Sequence, residues 1–269
     1  LNKNLFLTDT EKIFTPELIP VIFLHGFSGS AEDWHELTKN LPNKFFPVVY
    51  NLPGHGNNIP PFDNHNYSHL GLIKQLVEIY DFFKFNKAVL VGYSMGGRAA
   101  LTFAVNRPGM VSGLFLESST AGLKSAADRD DRIAADEKLA EFILTHSIKE
   151  FTEYWMGLPL FESQKKLASE VVNMIRETKL YCNKAGLAAS LRGFGTGQMP
   201  PLWDEIKYLS FPVRLISGEL DEKFTKINME MNNLFPFSEH TILKNCGHNT
   251  HLENPEEFLR VLLLFLNQF

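Results

Sequence analysis

The chain has 269 residues, is 44% hydrophobic, and carries a net charge of −5 with a pI near 6.0, enough apolar material for one large core with room for an insertion. So acidic a balance leaves no basic footprint for nucleic acid, and no apolar run approaches the ~20 residues that a membrane span needs. The opening LNKNLFLTDTEK lacks the basic, apolar, small-residue order of a secretory leader, and Cys182 and Cys246 form no Cys-x-x-Cys pair, so a reduced, cytoplasmic, monomeric protein is expected.

In chain order, Pro20 to Leu24 (PVIFL) is a short apolar strand that runs into His25-Gly26-Phe27. Ser28 to Ser30 supply turn and cap residues for a helix whose Trp34, Leu37 and Leu41 recur at helical spacing. Phe46 to Asn51 is the next strand, followed by the tight turn Leu52-Pro53-Gly54-His55-Gly56. Ser68 to Phe83 carries the helical stripe Leu72, Leu76, Ile79, Tyr80 and Phe83. The run Ala88 to Val91 stops at Gly92, a helix continues to Val105, and Val111 to Leu116 is a further strand. Strands that read as continuous apolar runs and alternate with helices predict an α/β fold built on a mostly parallel, doubly wound sheet.

After Glu117 the rhythm breaks. Thr120 to about Gln198 holds no convincing strand; Ala134 to His146, Ser147 to Trp155, Ser163 to Cys182 and Gly186 to Arg192 read as helices. Phe211 to Ser217 resumes the sheet, His240 to Leu243 adds a short strand, and Pro255 to Phe269 closes the chain with an amphipathic helix. The expected organisation is a core of residues 1–119 and 205–269 with a helical cap, 120–204, inserted over the carboxyl ends of the strands, where ligands of such sheets bind.

Gly92-Tyr93-Ser94-Met95-Gly96 is Gly-x-Ser-x-Gly between a buried strand and a helix, the context that makes the pattern a nucleophile elbow rather than an ordinary strand–glycine–helix junction. A side chain at Gly92 or Gly96 would collide with the neighbouring backbone, and the turn lifts the Ser94 hydroxyl to a helix N-terminus that favours developing negative charge. Alone, that hydroxyl is a poor base or nucleophile and needs an imidazole to take its proton. Two elements complete such a relay in chain order: Asp221 just past the strand that ends at Ser217, and His248 on a loop before the last helix. Glu219 and Glu222 compete with Asp221, and His251 is the rival of His248, disfavoured because it falls closer to the helix start. The backbone N–H groups of Phe27 and Met95 are the candidate oxyanion donors, although Phe27 also reads as a core aromatic.

Arg98 stands four residues after Ser94, on the serine's own helix face. A guanidinium there suits a substrate carboxylate, which it would pair bidentately; the alternative is a structural salt bridge. No arginine precedes Arg98, and Arg129, Arg132, Arg176 and Arg192 all lie in the proposed cap, so a polyanionic small molecule is the expected ligand. The absence of HExxH, carboxylate clusters or paired cysteines gives no reason to expect a metal or other cofactor.

From about Val21 onward the chain resembles the MenH family of the α/β-hydrolase superfamily, the 2-succinyl-6-hydroxy-2,4-cyclohexadiene-1-carboxylate synthases of menaquinone biosynthesis. FLHGF (Phe23 to Phe27) and NLPGHG (Asn51 to Gly56) are common across the superfamily; GYSMGGR (Gly92 to Arg98) is more specific. LESSTAGL (Leu116 to Leu123), YWMGLPLF (Tyr154 to Phe161), LRGFGTGQMPPLW (Leu191 to Trp203), GELDEKF (Gly218 to Phe224) and CGHNTHLENP (Cys246 to Pro255) separate the resemblance from generic esterases. It implies an α/β-hydrolase fold and a lyase that eliminates pyruvate from a cyclohexene bearing an enolpyruvyl ether, a ring carboxylate and a succinyl chain, with Ser94 as general base. It also implies substrate contacts from Tyr93, Arg98, Trp155 and Arg176, and a looser one from Arg132. The segment before Val21 departs from the pattern, with no clear strand hairpin of the kind that usually opens this fold. A carboxylester or carbon–carbon bond hydrolase with a nucleophilic Ser94 is the competing enzyme reading, and a non-enzymatic ligand-binding protein is the other, disfavoured because all three relay residues are present.

Overall fold

The computed structural model describes residues 6–8, 13–63 and 65–269. Strand β1 (Phe6–Thr8) is followed by β2 (Ile19–Leu24), helix α1 (His35–Lys39), β3 (Phe45–Tyr50), α2 (His69–Phe83), β4 (Ala88–Tyr93), α3 (Met95–Asn106) and β5 (Val111–Glu117). Four helices come next: α4 (Ala126–Thr145), α5 (Ile148–Met156), α6 (Ser169–Leu180) and α7 (Lys184–Phe194). The chain then returns through β6 (Val213–Gly218), α8 (Glu222–Asn232), β7 (Ser238–Leu243), α9 (Thr250–Glu253) and α10 (Pro255–Leu266). The sheet order is β1-β3-β2-β4-β5-β6-β7. All neighbours are parallel except β1, which pairs antiparallel with β3.

Burial on both faces explains the unbroken apolar strands. Leu24, Leu90 and Leu114 face one core layer with Leu76 and Tyr80 of α2 and Phe103 of α3. Phe23, Val91 and Phe115 face the other with Trp34 and with Phe258, Leu262 and Phe265 of α10. The parallel register aligns the strand ends, with Leu24 opposite Gly92, Tyr93 opposite Glu117 and Gly218 opposite Leu243. The loops that follow β2, β4, β5, β6 and β7 therefore emerge together on one edge.

Two expectations need correction. The helix expected at Ala134 begins at Ala126, where the Ser125 hydroxyl accepts the Asp128 N–H; only Asp136, Ala140 and Ile143 of its twenty residues are buried, so apolar spacing does not mark its first two turns. The single helix expected over Ser163 to Cys182 is two: a 3₁₀ segment, Pro159–Lys166, gives way to extended Leu167 and Ala168 before α6 begins. Before Val21 the described residues hold a short strand, β1, that pairs antiparallel with β3, Phe6 opposite Tyr50, and not as a hairpin with β2. Residues 1–5 and 9–12 lie outside the described residues.

Between β5 and β6 the helices form their own apolar centre of Ala140, Ile143, Phe151, Leu187 and Leu191, against which Phe27 from the β2 loop packs. Phe151 is fully buried and meets Phe27 and Trp155 ring to ring, at 6.4 and 5.9 Å. Phe151→Ala is expected to open a cavity there and cost about 3–5 kcal/mol of stability; urea unfolding followed by circular dichroism measures it, and a loss below about 1 kcal/mol would show that the helices do not rest on this ring.

Candidate active site

Ser94 is the residue between β4 and α3 and has φ 50° and ψ −107°, a backbone conformation that L-residues avoid. Its N–H donates to the Glu117 carbonyl at 2.8 Å, and its carbonyl accepts from the Arg98 N–H at 3.0 Å and from Ser119 Oγ at 3.2 Å. The turn closes only because Gly92 and Gly96 lack side chains: a Cβ on Gly92 would strike the Gly96 carbonyl, and one on Gly96 would strike that of Leu24.

His248 Nε2 lies 3.0 Å from Ser94 Oγ, and His248 Nδ1 donates to Asp221 Oδ2 at 2.6 Å. Both His248 and Asp221 are buried, and Asp221 Oδ1 also caps α8 by accepting the Phe224 N–H at 3.2 Å. The rivals point elsewhere. Glu219 accepts the Asn245 N–H at 3.1 Å, exposed Glu222 reaches Lys226 at 3.4 Å, and His251 Nδ1 donates to Glu117 at 2.6 Å.

Two further histidines tie down the loop that carries Phe27. His25 Nε2 accepts the Leu52 N–H at 3.0 Å while its Nδ1 donates to the Gly26 carbonyl at 2.7 Å. His55 Nε2 accepts the Ser28 N–H at 3.2 Å while its Nδ1 donates to the Pro53 carbonyl at 3.1 Å. The residues on either side of Phe27 are thus laced to the loop after β3. Both rings are fully buried, and burial holds both below the usual imidazole range, His55 down to about 4.

Ser94 and His248 open into a cavity of about 390 Å³. Phe27, Tyr93, Met95, Arg98, Arg132 and Trp155, all expected site residues, line it. Met95 is the first residue of α3, and Tyr93 is buried, its hydroxyl pushed well above the usual phenol range by burial and then by Glu117, so it stays neutral. Trp155 packs edge-on to Phe27 at 5.1 Å, and its indole N–H has no hydrogen-bond partner among the described residues. Arg98 is 7% exposed, donates to the Phe194 carbonyl at 2.8 Å, and lies 5.0 Å from that residue's ring; no carboxylate among the described residues is within ion-pair distance of it. Burial and then nearby Arg132 push it down to about 9. Arg132 holds Asp136 through Nε at 2.8 Å.

Arg176 is not in this cavity. It lines a neighbouring one of about 320 Å³ between α5 and α6, which shares Phe161 with the first. Arg129 is spent on the carbonyls of Leu123 and Lys124, and Arg192 on exposed Glu137. Lys223 lines the serine's cavity and was not singled out from sequence; its position two residues beyond Asp221 in GELDEKF is the signal that could have found it. Among the described residues, no group of three or more His, Cys, Asp or Glu side chains could hold a metal ion, and no helix is long and apolar enough to cross a membrane.

The sheet order, the serine on its elbow and the histidine and aspartate on later loops define an α/β-hydrolase, and the α/β-hydrolase fold family model matches residues 19–255. An Enterobacter sp. (strain 638) protein named 2-succinyl-6-hydroxy-2,4-cyclohexadiene-1-carboxylate synthase is 30% identical over 240 residues, spanning 87% of this chain and 86% of its own. A Bacillus subtilis (strain 168) protein that carries the same name provisionally is 43% identical over 246 residues, spanning 91% of this chain and 89% of its own. The solved structure of MenH from S. aureus superposes with a TM-score of 0.93 at 33% identity, covering 98% of both chains. The chain belongs to the 2-succinyl-6-hydroxy-2,4-cyclohexadiene-1-carboxylate synthase family. An esterase from Thermogutta terrifontis, with a TM-score of 0.81 at 24% identity, shares the fold.

The lowered His55 sets a pH dependence. Unfolding lets this ring take up a proton near pH 6.5, whereas the fold refuses it until about pH 4, so stability is lost as pH falls through that window. Between pH 7 and pH 5 the loss from His55 is expected to be about 2 kcal/mol in urea unfolding. A His55→Asn protein should show a correspondingly flatter slope, and an unchanged slope would contradict the assignment.

Proposed function

We propose that this chain is a carbon–oxygen lyase of menaquinone biosynthesis, which eliminates pyruvate from 2-succinyl-5-enolpyruvyl-6-hydroxy-3-cyclohexene-1-carboxylate to give 2-succinyl-6-hydroxy-2,4-cyclohexadiene-1-carboxylate. The observation that carries this reading is Arg98, a buried guanidinium with no carboxylate of the described residues within ion-pair distance, one helical turn beyond a serine in hydrogen-bond contact with a histidine–aspartate pair. Membership of the synthase family supplies the substrate.

In this reading His248, oriented by its hydrogen bond to Asp221, draws the proton from Ser94 Oγ, and Ser94 removes the ring proton beside the succinyl carbonyl. The electron pair forms a new ring double bond, the existing one shifts, and the carbon–oxygen bond to the enolpyruvyl group breaks. The departing enolate takes up a proton and leaves as pyruvate. Charge that builds on the succinyl oxygen is met by the N–H groups of Met95 and Phe27, the latter held by the His25 and His55 straps.

The substrate's three carboxylates match Arg98, Arg132 and Lys223, the three cations around one cavity. Tyr93 and Trp155 line the same cavity, with Ser119, Thr120, Ser190 and Thr196 as further polar residues of its wall. Arg176 takes part only if the helices between β5 and β6 shift, because it opens on the adjoining cavity. Residues 120–204 serve as the cap, and the enzyme works on its soluble small-molecule substrate in the cytoplasm as a monomer, without a cofactor.

Pyruvate release followed with a coupled lactate dehydrogenase assay is expected for the wild-type chain and should be abolished in Ser94→Ala; full activity in that variant would remove Ser94 as the base. If instead Ser94 is a nucleophile, short p-nitrophenyl esters would turn over well and no pyruvate would form. Arg98→Ala is expected to lower kcat/KM by about 2–5 kcal/mol of transition-state stabilisation, through a substrate carboxylate left unpaired. An unchanged kcat/KM would take Arg98 out of the site.

A further inference from the structure

Behind the contact between Ser94 and His248 lies a second buried histidine–carboxylate pair. Glu117, the last residue of β5, has no solvent exposure. Its carboxylate accepts hydrogen bonds from Thr250 Oγ1 at 2.7 Å, from the His251 backbone N–H at 3.0 Å, and from His251 Nδ1 at 2.6 Å. Its backbone carbonyl takes the Ser94 N–H at 2.8 Å. One residue thus holds the serine's backbone on one side and the chain just after His248 on the other.

An unpaired carboxylate at that depth would be strongly unfavourable, and an apolar side chain would pack there without needing partners. The three donors that offset the burial all come from Thr250 and His251, the second and third residues after His248. What the pair adds over apolar packing is direction: hydrogen bonds fix where the segment sits, and a packed methyl does not.

His251 itself stays away from the cavity. Its ring stacks on Trp34 at 4.2 Å and 20°, and its Nε2 is buried without a hydrogen-bond partner among the described residues. The Tyr93 ring meets both imidazoles, 5.1 Å from His251 and 5.4 Å from His248. His251 therefore touches neither the serine nor the space a substrate would fill, and it can act only through what it holds in place.

We infer that Glu117 and His251 are positioning residues that set the reach between Ser94 and His248. The inference rests on the proposed proton transfer between those two side chains. Misplacement of reacting groups by an ångström costs up to about a hundredfold in rate, so loosening this tie is read in kcat rather than in substrate binding.

The test compares His251→Leu with His251→Asn in the full chain, with pyruvate release as the readout and circular dichroism to establish the folded fraction. Both variants lose the stacking on Trp34, but the asparagine amide places an N–H near the former Nδ1–H. His251→Leu is expected to lower kcat by about tenfold or more with KM within about twofold of wild type, and His251→Asn to recover most of the loss. Wild-type kcat in His251→Leu, or an asparagine variant no better than the leucine one, would overturn the inference. Should His251→Leu fail to fold, Thr250→Val carries the same test: kcat reduced by about threefold or more at unchanged KM supports the inference, and unchanged kcat overturns it. A wild-type chain that releases no pyruvate would bring down the proposed function, and this inference with it.

Discussion

Ser94 is held at φ 50°, ψ −107°, a strain of about 1–3 kcal/mol that the surroundings must supply. The restraints are visible on both sides of the peptide: its N–H is bound by Glu117, its carbonyl by Arg98 N–H and Ser119 Oγ, and the glycines before and after it let two backbones approach without side chains. That one conformation decides much else. It points Oγ toward His248, makes Met95 the first residue of α3, and sets Arg98 one turn along the same helix. The parallel register then does the gathering, because strand ends aligned across the sheet deliver Asp221, His248 and the Phe27 loop to the same edge.

The electrostatics of the cavity have a direction as well. Arg98 is destabilised as a cation first by burial and then by Arg132, and its side-chain hydrogen bond goes to a neutral carbonyl rather than to a carboxylate. Two guanidiniums placed so that they repel each other raise the energy of the free protein, and a bound carboxylate removes that repulsion while completing the hydrogen bonding. Asp136 offsets part of that repulsion, ion-pairing with Arg132 and favouring the charged form of Arg98 from further away, but its Oδ2 has no hydrogen-bond partner among the described residues. The site is thereby biased toward anions before any contact with the reacting carbon is made. A serine in such a place has less use as the nucleophile of a neutral-ester hydrolase than as a base beside a polycarboxylate.

The sheet and the relay were legible because each rests on local signals that the chain repeats. Apolar runs mark the buried strands, and Ser94, Asp221 and His248 each follow a strand end. Asp221 over Glu219, and His248 over His251, are choices the sequence already favours, and the distances agree with them although both alternatives lie within a few residues on the same loops. The insertion was less legible. The first turns of α4 are almost wholly solvated, so they carry no apolar stripe, and the break at Leu167 and Ala168 is made by extended backbone at residues whose side chains suit a helix. The arginine count pointed to an anionic ligand, but the partners chosen by Arg129 and Arg192 and the placement of Arg176 depend on tertiary packing that no spacing encodes. Lys223 was hidden for the opposite reason: an exposed lysine in the first turn of a helix looks like surface until the cavity wall is drawn.

The central claim is that Ser94 accepts a proton from carbon instead of attacking a carbonyl. Single-turnover formation of pyruvate, read after an acid quench and compared for substrate carrying hydrogen or deuterium at the ring carbon beside the succinyl carbonyl, tests this most directly, because it isolates the bond-breaking step from product release. The account predicts that deuterium slows formation by about twofold or more, as expected when proton transfer to a positioned base occurs in the transition state. Identical rates for the two substrates would contradict it.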